Sequence, residues 1–118
     1  MRIWLVAIVL VSGFVATEAQ KPALSTAKAK EAKKLFKLRC AKCHGAAGAA
    51  DSAYGQIGGA KNLRDPNWQE KVDDDRLLNS IKHGRGQMPG FNKKLTDDQI
   101  DSLALFVRTL RSKSTPTE

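Results

Sequence analysis

The stretch Cys40-Ala41-Lys42-Cys43-His44 contains both cysteines of the 118-residue chain and one of its two histidines. On a helix, positions i, i+3 and i+4 share a face, so the two thiols and the imidazole are expected to point the same way. Such a set can form a disulfide, ligate a metal ion or anchor a cofactor. The fold has to accommodate whichever of these bonds the motif makes.

The first nineteen residues have the parts of a secretory signal peptide. A basic start, Met1-Arg2, precedes an apolar run from Ile3 to Ala16, and Thr17-Glu18-Ala19 suits cleavage after Ala19. The alternative is an uncleaved anchor, but about 14 apolar residues fall short of the roughly 20 that span a bilayer. No cysteine near the cleavage point offers a lipid attachment site. We therefore expect a periplasmic protein with no stable membrane anchor after cleavage.

Export places Cys40 and Cys43 in an oxidising compartment, where free thiols seldom persist. Both are therefore expected to be bonded to something. The organisation we predict is a signal peptide (1–19), a short leader (20–25), one domain (26–111) and a flexible tail (112–118) rich in Ser, Thr and Pro. A domain of this size often depends on a metal, disulfides or a cofactor to complete its core.

The formal net charge is +8, and it is concentrated ahead of the cysteine motif. Between residues 21 and 42, eight basic residues face a single acid, Glu31; they are Lys21, Lys28, Lys30, Lys33, Lys34, Lys37, Arg39 and Lys42. Nucleic acid is a poor candidate partner for an exported domain in which only 6% of residues are aromatic. Two interpretations remain open: a solvated helix face, or a basic docking patch for an acidic protein partner.

Three helices are predicted, and no strands. The first spans about 26–42, with apolar positions three and four residues apart. The second spans about 74–83, with Asp73 as N-cap. The third follows a capping box at Thr96–Gln99 and has an apolar stripe; the stripe is Ile100, Leu103, Ala104, Val107 and Leu110. The long glycine-containing connection 45–72 is expected to be unstructured and to wrap something. The fold class is therefore all-α.

The rest of the sequence helps to distinguish among the bonds that the cysteine motif could form. A thioredoxin-like redox pair requires a βαβ unit, which this sequence lacks. A zinc site requires a fourth ligand and normally a second Cys/His pair, whereas His83 is the only other histidine. The third possibility is covalent haem attachment, for which Cys-x-x-Cys-His is the signature. Export agrees with it, because haem is attached in this way after translocation.

Over essentially the whole mature region, the chain resembles the class I mono-haem cytochromes c of the small, secreted bacterial type. The matching features are Phe36 four residues before Cys40, the attachment motif, a glycine-rich loop, Asn62-Leu63, the segment Gly86-Gln87-Met88-Pro89-Gly90-Phe91 and a final amphipathic helix. The resemblance implies three main helices with long loops wrapped around one covalently bound haem c. It also implies that the first and last helices cross, with Phe36 and Phe106 in contact and Ala32 and Leu103 beside them.

The resemblance further implies that Cys40 and Cys43 hold the haem and that His44 and Met88 are the axial ligands of its iron. Met88 is the one methionine after the signal peptide, and it lies in a Gly/Pro loop, whereas a core-filling methionine would be expected on a helix stripe. His83 is the competing ligand, although a histidine at a helix C-terminus commonly faces water.

Leu63 and Trp68 are two further residues expected at the haem site. In the family, a backbone carbonyl of a Pro-x-Leu segment accepts the N–H of the axial imidazole; the corresponding segment here is Lys61-Asn62-Leu63, with lysine in place of proline. Trp68 is expected either to donate a hydrogen bond to a haem propionate or to pack as a partly buried aromatic.

The function implied is that of a soluble, monomeric electron carrier, not an enzyme. Its partners would be redox proteins with an acidic docking surface. A second hypothesis is a dedicated haem subunit or partner of a periplasmic dehydrogenase or oxidase. A third is a haem enzyme or gas sensor in which Met88 is a labile ligand.

Overall fold

A computed structural model describes residues 24–113. The predicted signal peptide, most of the leader and residues 114–118 of the predicted tail lie outside this range. Ser112, at the start of that tail, donates from both its amide and its hydroxyl to the carbonyl of Arg64, at 2.9 Å in each case. Within residues 24–113, no helix has both the length and the apolar character needed to cross a membrane.

The first predicted helix is present but divided at Cys40. Helix α1 spans Thr26–Arg39 and is capped by the hydroxyl of Ser25, and α2 spans Ala41–His44. Cys40 joins the two helices with φ −112°, while its amide still donates to Phe36 at 2.8 Å. The prediction of one helix through residue 42 is therefore wrong in its last turn, and the cysteine motif begins at the junction.

The connection 45–72 contains two short helices, which corrects the expectation of an unstructured loop. Helix α3 spans Ala53–Gly58, and the side chain of the preceding residue, Ser52, is its N-cap. Helix α4 spans Pro66–Lys71, with Asp65 as N-cap and proline in the first turn. Both starts follow the usual cap chemistry. They escape a search for apolar periodicity because each helix has only six residues.

The second and third predicted helices are confirmed with nearly the expected bounds. Helix α5 spans Asp74–His83 with Asp73 as its N-cap. Helix α6 spans Asp97–Thr109, and Thr96 and Gln99 form the predicted capping box.

Between α5 and α6 lies a small hairpin, so the expectation of no strands is wrong at this point. Strand β1 (Gly84–Arg85) pairs antiparallel with β2 (Met88–Pro89). Each strand has two residues, which is too short for an alternating pattern to register in the sequence. The all-α class nevertheless stands, because every other element of residues 24–113 is a helix.

Helix α6 packs against α1 and α5 and organises the core. The rings of Phe36 and Phe106 lie 5.4 Å apart between centroids and are tilted by 55°, which confirms the predicted aromatic contact. Ala32 is completely buried and Leu103 is 1% exposed. The Phe36–Phe106 contact joins α1 to α6 and so positions the helix that ends at the cysteine motif.

Candidate haem site

The cysteine motif lies at the junction of α1 and α2. Cys40 is half-buried and Cys43 is exposed, and both are free thiols that are not joined in a disulfide. Burial, with a smaller contribution from Cys43, raises the pKa of the Cys40 thiol to about 11. His44 is the last residue of α2 and is half-buried. The two thiols are therefore available for other covalent bonds.

The imidazole of His44 is oriented by the loop that follows α3. Its Nδ1 lies 2.9 Å from the carbonyl oxygen of Lys61. Because a carbonyl can only accept, Nδ1 carries the proton and donates it, which leaves Nε2 free to bind a metal. Lysine thus occupies the place of the family's proline, and the backbone contact that the resemblance implied is made by its carbonyl.

Leu63 holds the same loop in place. Its side chain is 7% exposed and belongs to the core, and its amide donates to the carbonyl of Gly48 at 2.8 Å. The segment that accepts the hydrogen bond from His44 is therefore anchored to the core by the side chain of Leu63 and to the neighbouring loop by a backbone hydrogen bond.

Ser52 supports the motif from α3, and sequence reasoning did not single it out. Its hydroxyl lies 2.8 Å from the carbonyl oxygen of Lys42 and 2.9 Å from that of Cys43, while it accepts from the amide of Gly55 at 2.9 Å. One serine thus caps the start of α3 and the end of α2. Its position ahead of a short helix was the available signal.

Met88 is presented by the hairpin after α5. It is half-buried and packs against the hydrophobic core. Gly84, paired with Pro89 across the hairpin, has φ +80°, and a Cβ there would lie 2.4 Å from the carbonyl oxygen of Met88. A side chain at Gly84 would therefore displace Met88, so the glycine is needed for both its backbone angle and its lack of a side chain.

Of the other predicted residues, Trp68 packs against the core and His83 is exposed. Trp68, on α4, is half-buried and packs against the same core cluster as Cys40 and Met88. His83 ends α5 and is exposed. The structure therefore brings Cys40, Trp68 and Met88 to the margin of one core that contains Leu63, and it leaves His83 in solvent.

A buried polar network that sequence reasoning missed lies behind this margin. Gln69 is 4% exposed, and its side-chain amide donates to the carbonyls of Leu63 (2.7 Å) and Val107 (2.9 Å). Arg108 donates to the Gln69 carbonyl at 2.6 Å, to the Gln69 side-chain oxygen at 3.1 Å and to the Val72 carbonyl at 2.6 Å. A lone glutamine in a six-residue helix gives no sequence pattern that would predict these contacts.

The residues present fit a covalently attached haem. Two unbridged thiols three residues apart match attachment to two vinyl groups. An imidazole whose Nδ1 is already bonded presents Nε2, and a half-buried thioether lies in a glycine-flanked hairpin. These are the donor types of a His/Met-ligated cytochrome.

Comparison with known proteins identifies relatives among the c-type cytochromes. The family described as "Cytochrome C oxidase, cbb3-type, subunit III" matches residues 27–107. Cytochrome c6 from Leptolyngbya boryana is 38% identical over 78 residues, which cover 63% of this chain and 82% of that protein. The structure of the KustC0563 c-type cytochrome superposes with a TM-score of 0.65 and 32% identity, covering 69% of this chain and 98% of that one.

The match to the oxidase subunits is partial in length. The cbb3-type cytochrome c oxidase subunit CcoP of Azospirillum brasilense is 36% identical over 91 residues, which cover 76% of this chain but 31% of that protein. The chain thus spans most of a cytochrome c6 and less than a third of the oxidase subunit. It belongs to the class I mono-haem c-type cytochromes, electron-transfer haem proteins that carry a covalently bound haem c.

Proposed function

We propose that the protein is a soluble, exported carrier of single electrons, with His44 and Met88 as the axial ligands of haem iron and Cys40 and Cys43 as its covalent attachments. The observation that carries the proposal is the 2.9 Å contact between Nδ1 of His44 and the Lys61 carbonyl. A ligating histidine commonly donates its other ring N–H in this way, which fixes the tautomer and the ring plane.

Haem c, when bound, supplies an iron that alternates between the ferrous and ferric states. The chain's contribution is to hold the donors still. His44 is held by Lys61, and Met88 by a hairpin whose first residue, Gly84, leaves no room for a side chain. Because neither donor needs to move when the charge on the iron changes, electron transfer requires little rearrangement of the protein. A thioether ligand also raises the reduction potential relative to two imidazoles.

The other proposed properties follow from the same function. Trp68, half-buried beside the core, is proposed to hydrogen-bond a haem propionate through its indole N–H. The protein is proposed to work as a periplasmic monomer and to meet redox partners that present an acidic surface to its basic first helix. It has no proposed enzymatic activity of its own.

The test is a visible spectrum and redox titration of the mature holoprotein, of Met88→Ala and of His83→Ala. Met88→Ala is expected to change the ligand-field spectrum and to shift the potential, while His83→Ala leaves both unchanged. The proposal fails if Met88→Ala has no effect or if His83→Ala has the larger effect. Carbon monoxide binding to the reduced wild-type protein at neutral pH would instead support a labile Met88 and a gas-binding role.

A second candidate function is a haem subunit or dedicated partner of a periplasmic oxidase or dehydrogenase. The sequence match to CcoP subunits favours it. Affinity purification of the tagged mature protein from its own host, in mild detergent, separates the two. Co-purification with a larger enzyme at fixed stoichiometry supports the subunit, and recovery of the holoprotein alone supports the free carrier.

A further inference from the structure

A groove with an apolar floor and a basic rim lies beside the contact between α1 and α6. Its volume is about 890 Å³, and Phe36, Phe106 and Leu110 form the apolar part of its lining. None of the predicted haem-binding residues lines it. Ala46 and Ala47, which lie two and three residues after His44 of the cysteine motif, form part of its wall. The groove is thus a separate surface that adjoins the attachment motif.

Five cationic side chains from separate segments converge on this groove, and none of the described lining residues is acidic. Lys33 and Lys37 come from α1, Arg64 from the loop before α4, and Arg111 and Lys113 from the segment after α6. Within residues 24–113, none of these five forms an ion pair, whereas Lys28, Lys82 and Arg108 do. Cations brought together without local partners leave a positive potential at the rim.

We propose that the groove receives an acidic segment of the redox partner that carries an aromatic or aliphatic side chain. The carboxylates would meet the basic rim, and the apolar side chain would contact Phe106 and Leu110, which are half-buried. The five cations are spread over three chain segments. A small anion would therefore contact only one or two of them, whereas a polypeptide can contact them all. The groove is not enclosed, which also suits a polypeptide better than a small molecule that needs burial on all sides.

This inference rests on the proposed carrier function, because it names the segment of the partner that such a carrier would meet. It also limits the proposed basic docking patch to those cationic residues that line the groove. Lys30 and Lys34 belong to the basic cluster of α1 but do not line the groove. The groove, and not the total charge of α1, is therefore expected to determine where the partner docks.

The test uses the ferrous holoprotein, which is diamagnetic when the haem is low-spin, in a ¹H–¹⁵N NMR titration. The probe is a short synthetic peptide of glutamates around one phenylalanine. Shifts are expected to cluster at residues 33–37, Arg64 and 110–113. The variant Arg64→Gln/Arg111→Gln is expected to weaken binding about tenfold. The matched variant Lys30→Gln/Lys34→Gln loses the same charge and is expected to change binding by less than about threefold.

Three outcomes would overturn the inference: equal weakening by the two variants, equal binding of a peptide with alanine in place of phenylalanine, or tighter binding of octanoate than of the peptide in the same groove. The first two indicate non-specific electrostatics, and the third a small amphiphilic ligand. Because neither double variant touches a proposed haem ligand, the visible spectrum and potential of each report on the carrier function separately from the groove.

The buried network at Gln69 carries a second, independent inference: we infer that Gln69 is a positioning residue for His44. Its side-chain amide holds the carbonyl of Leu63 at 2.7 Å, two residues from the Lys61 carbonyl that accepts from His44. Arg108 fixes the Gln69 side chain from α6. The chain of contacts runs from α6 through Gln69 and the 61–63 segment to the imidazole.

Gln69→Leu removes the donor while keeping a similar volume, so the Leu63 carbonyl loses its partner and the 61–63 segment loosens. The hydrogen bond from His44 then weakens. Because that bond increases electron donation from the imidazole to ferric iron, the reduction potential is expected to rise. Exchange of the His44 Nδ1 proton with solvent, followed by NMR in the ferrous state, is expected to accelerate about tenfold.

Ser112→Ala is the matched control. It removes the hydroxyl contact to the Arg64 carbonyl, next to Leu63 in the chain, at 2.9 Å. This variant is expected to lower stability slightly without changing the potential or the proton exchange at His44. If Gln69→Leu lowers only the melting temperature and leaves both His44 readouts at their wild-type values, Gln69 is a structural residue and the inference is wrong.

Discussion

At Gly55, the backbone of α3 lies against the carbonyl of Cys43. A Cβ built on Gly55 would lie 1.9 Å from that carbonyl oxygen and 2.9 Å from the hydroxyl of Ser52. Gly55 is buried, so an added Cβ could not avoid these atoms by turning toward solvent. The packing of α3 onto the cysteine motif therefore depends on a missing side chain at a single position, together with the Ser52 hydroxyl that joins the two helices.

Gly55→Ala is accordingly expected to destabilise the holoprotein by about 1–3 kcal/mol, the usual cost of overpacking. Guanidinium unfolding followed at the haem absorbance and by circular dichroism measures it. Gly58→Ala is the matched control on the same helix: its Cβ would meet only the flexible side chain of Gln87 at 3.3 Å. It is expected to be neutral or to stabilise by up to about 1 kcal/mol. Equal effects of the two changes would contradict the packing argument.

At the residue scale, the sequence predicted contacts that belong to a local motif or to a segment that resembles the family. The Lys61 carbonyl is such a case: its contact with His44 joins residues 17 apart, and the resemblance implied it. Gln69 is the opposite case, since its side chain bonds to Val107, 38 residues away. Nothing in a single sequence links those positions, so only the folded chain reveals their contact.

At the scale of elements, the start of α6 is capped and is also tied to both neighbouring helices. Thr96 and Gln99 bond reciprocally to each other's backbone amides, at 3.2 and 3.0 Å. Lys28 of α1 pairs with Asp98, and Lys82 of α5 pairs with Asp97. These hydrogen bonds raise the pKa of both lysines. A raised lysine pKa contributes stability that is present below the unfolded value and lost only as pH rises through the folded value, so both ties persist at neutral pH.

Thr96→Ala is expected to cost about 1 kcal/mol of unfolding free energy, because it removes the side-chain half of the capping box. Thr109→Ala is its control: Thr109 is exposed and donates to the Phe106 carbonyl within the same helix, where alanine is a better helix former. It is expected to be close to neutral. Chemical denaturation of the two holoproteins in parallel makes the comparison. A loss at Thr109 equal to that at Thr96 would mean that the capping box contributes nothing specific.

The sequence predicted some elements better than others. The difference depends on how far along the chain the residues that define each element are separated. The bounds of α5 and the start of α6 were predictable because caps and staples lie within five residues of the helix ends. The break at Cys40 and the hairpin at Met88 were not. No proline marks the break at Cys40, and the two-residue strands of the hairpin, one of which ends at Pro89, are too short for an alternating pattern.

At the scale of the whole molecule, the apolar interior is small. The described chain has twelve buried apolar residues. Around them, Leu35, Cys40, Trp68, Leu78 and Met88 are packed against the core but only partly buried. A haem attached at Cys40 and ligated by Met88 would extend the apolar interior at this margin. The network of Gln69 and Arg108 connects α4 and its C-cap Val72 to α6, but hydrogen bonds of this kind contribute modestly compared with apolar burial.

Without haem the chain is therefore expected to be largely unfolded, since a domain of this size has little apolar volume to offset its conformational entropy. The variant Cys40→Ala/Cys43→Ala, purified without haem, should show weak helical circular dichroism and no cooperative thermal transition, whereas the holoprotein melts cooperatively. Cys43→Ala alone keeps one thiol for attachment and controls for loss of the thiols themselves. Its helical circular dichroism should exceed that of the double variant in proportion to the haem it retains. A compact, cooperatively melting haem-free double variant would mean that the twelve buried apolar residues suffice and that haem is an addition to a self-sufficient core.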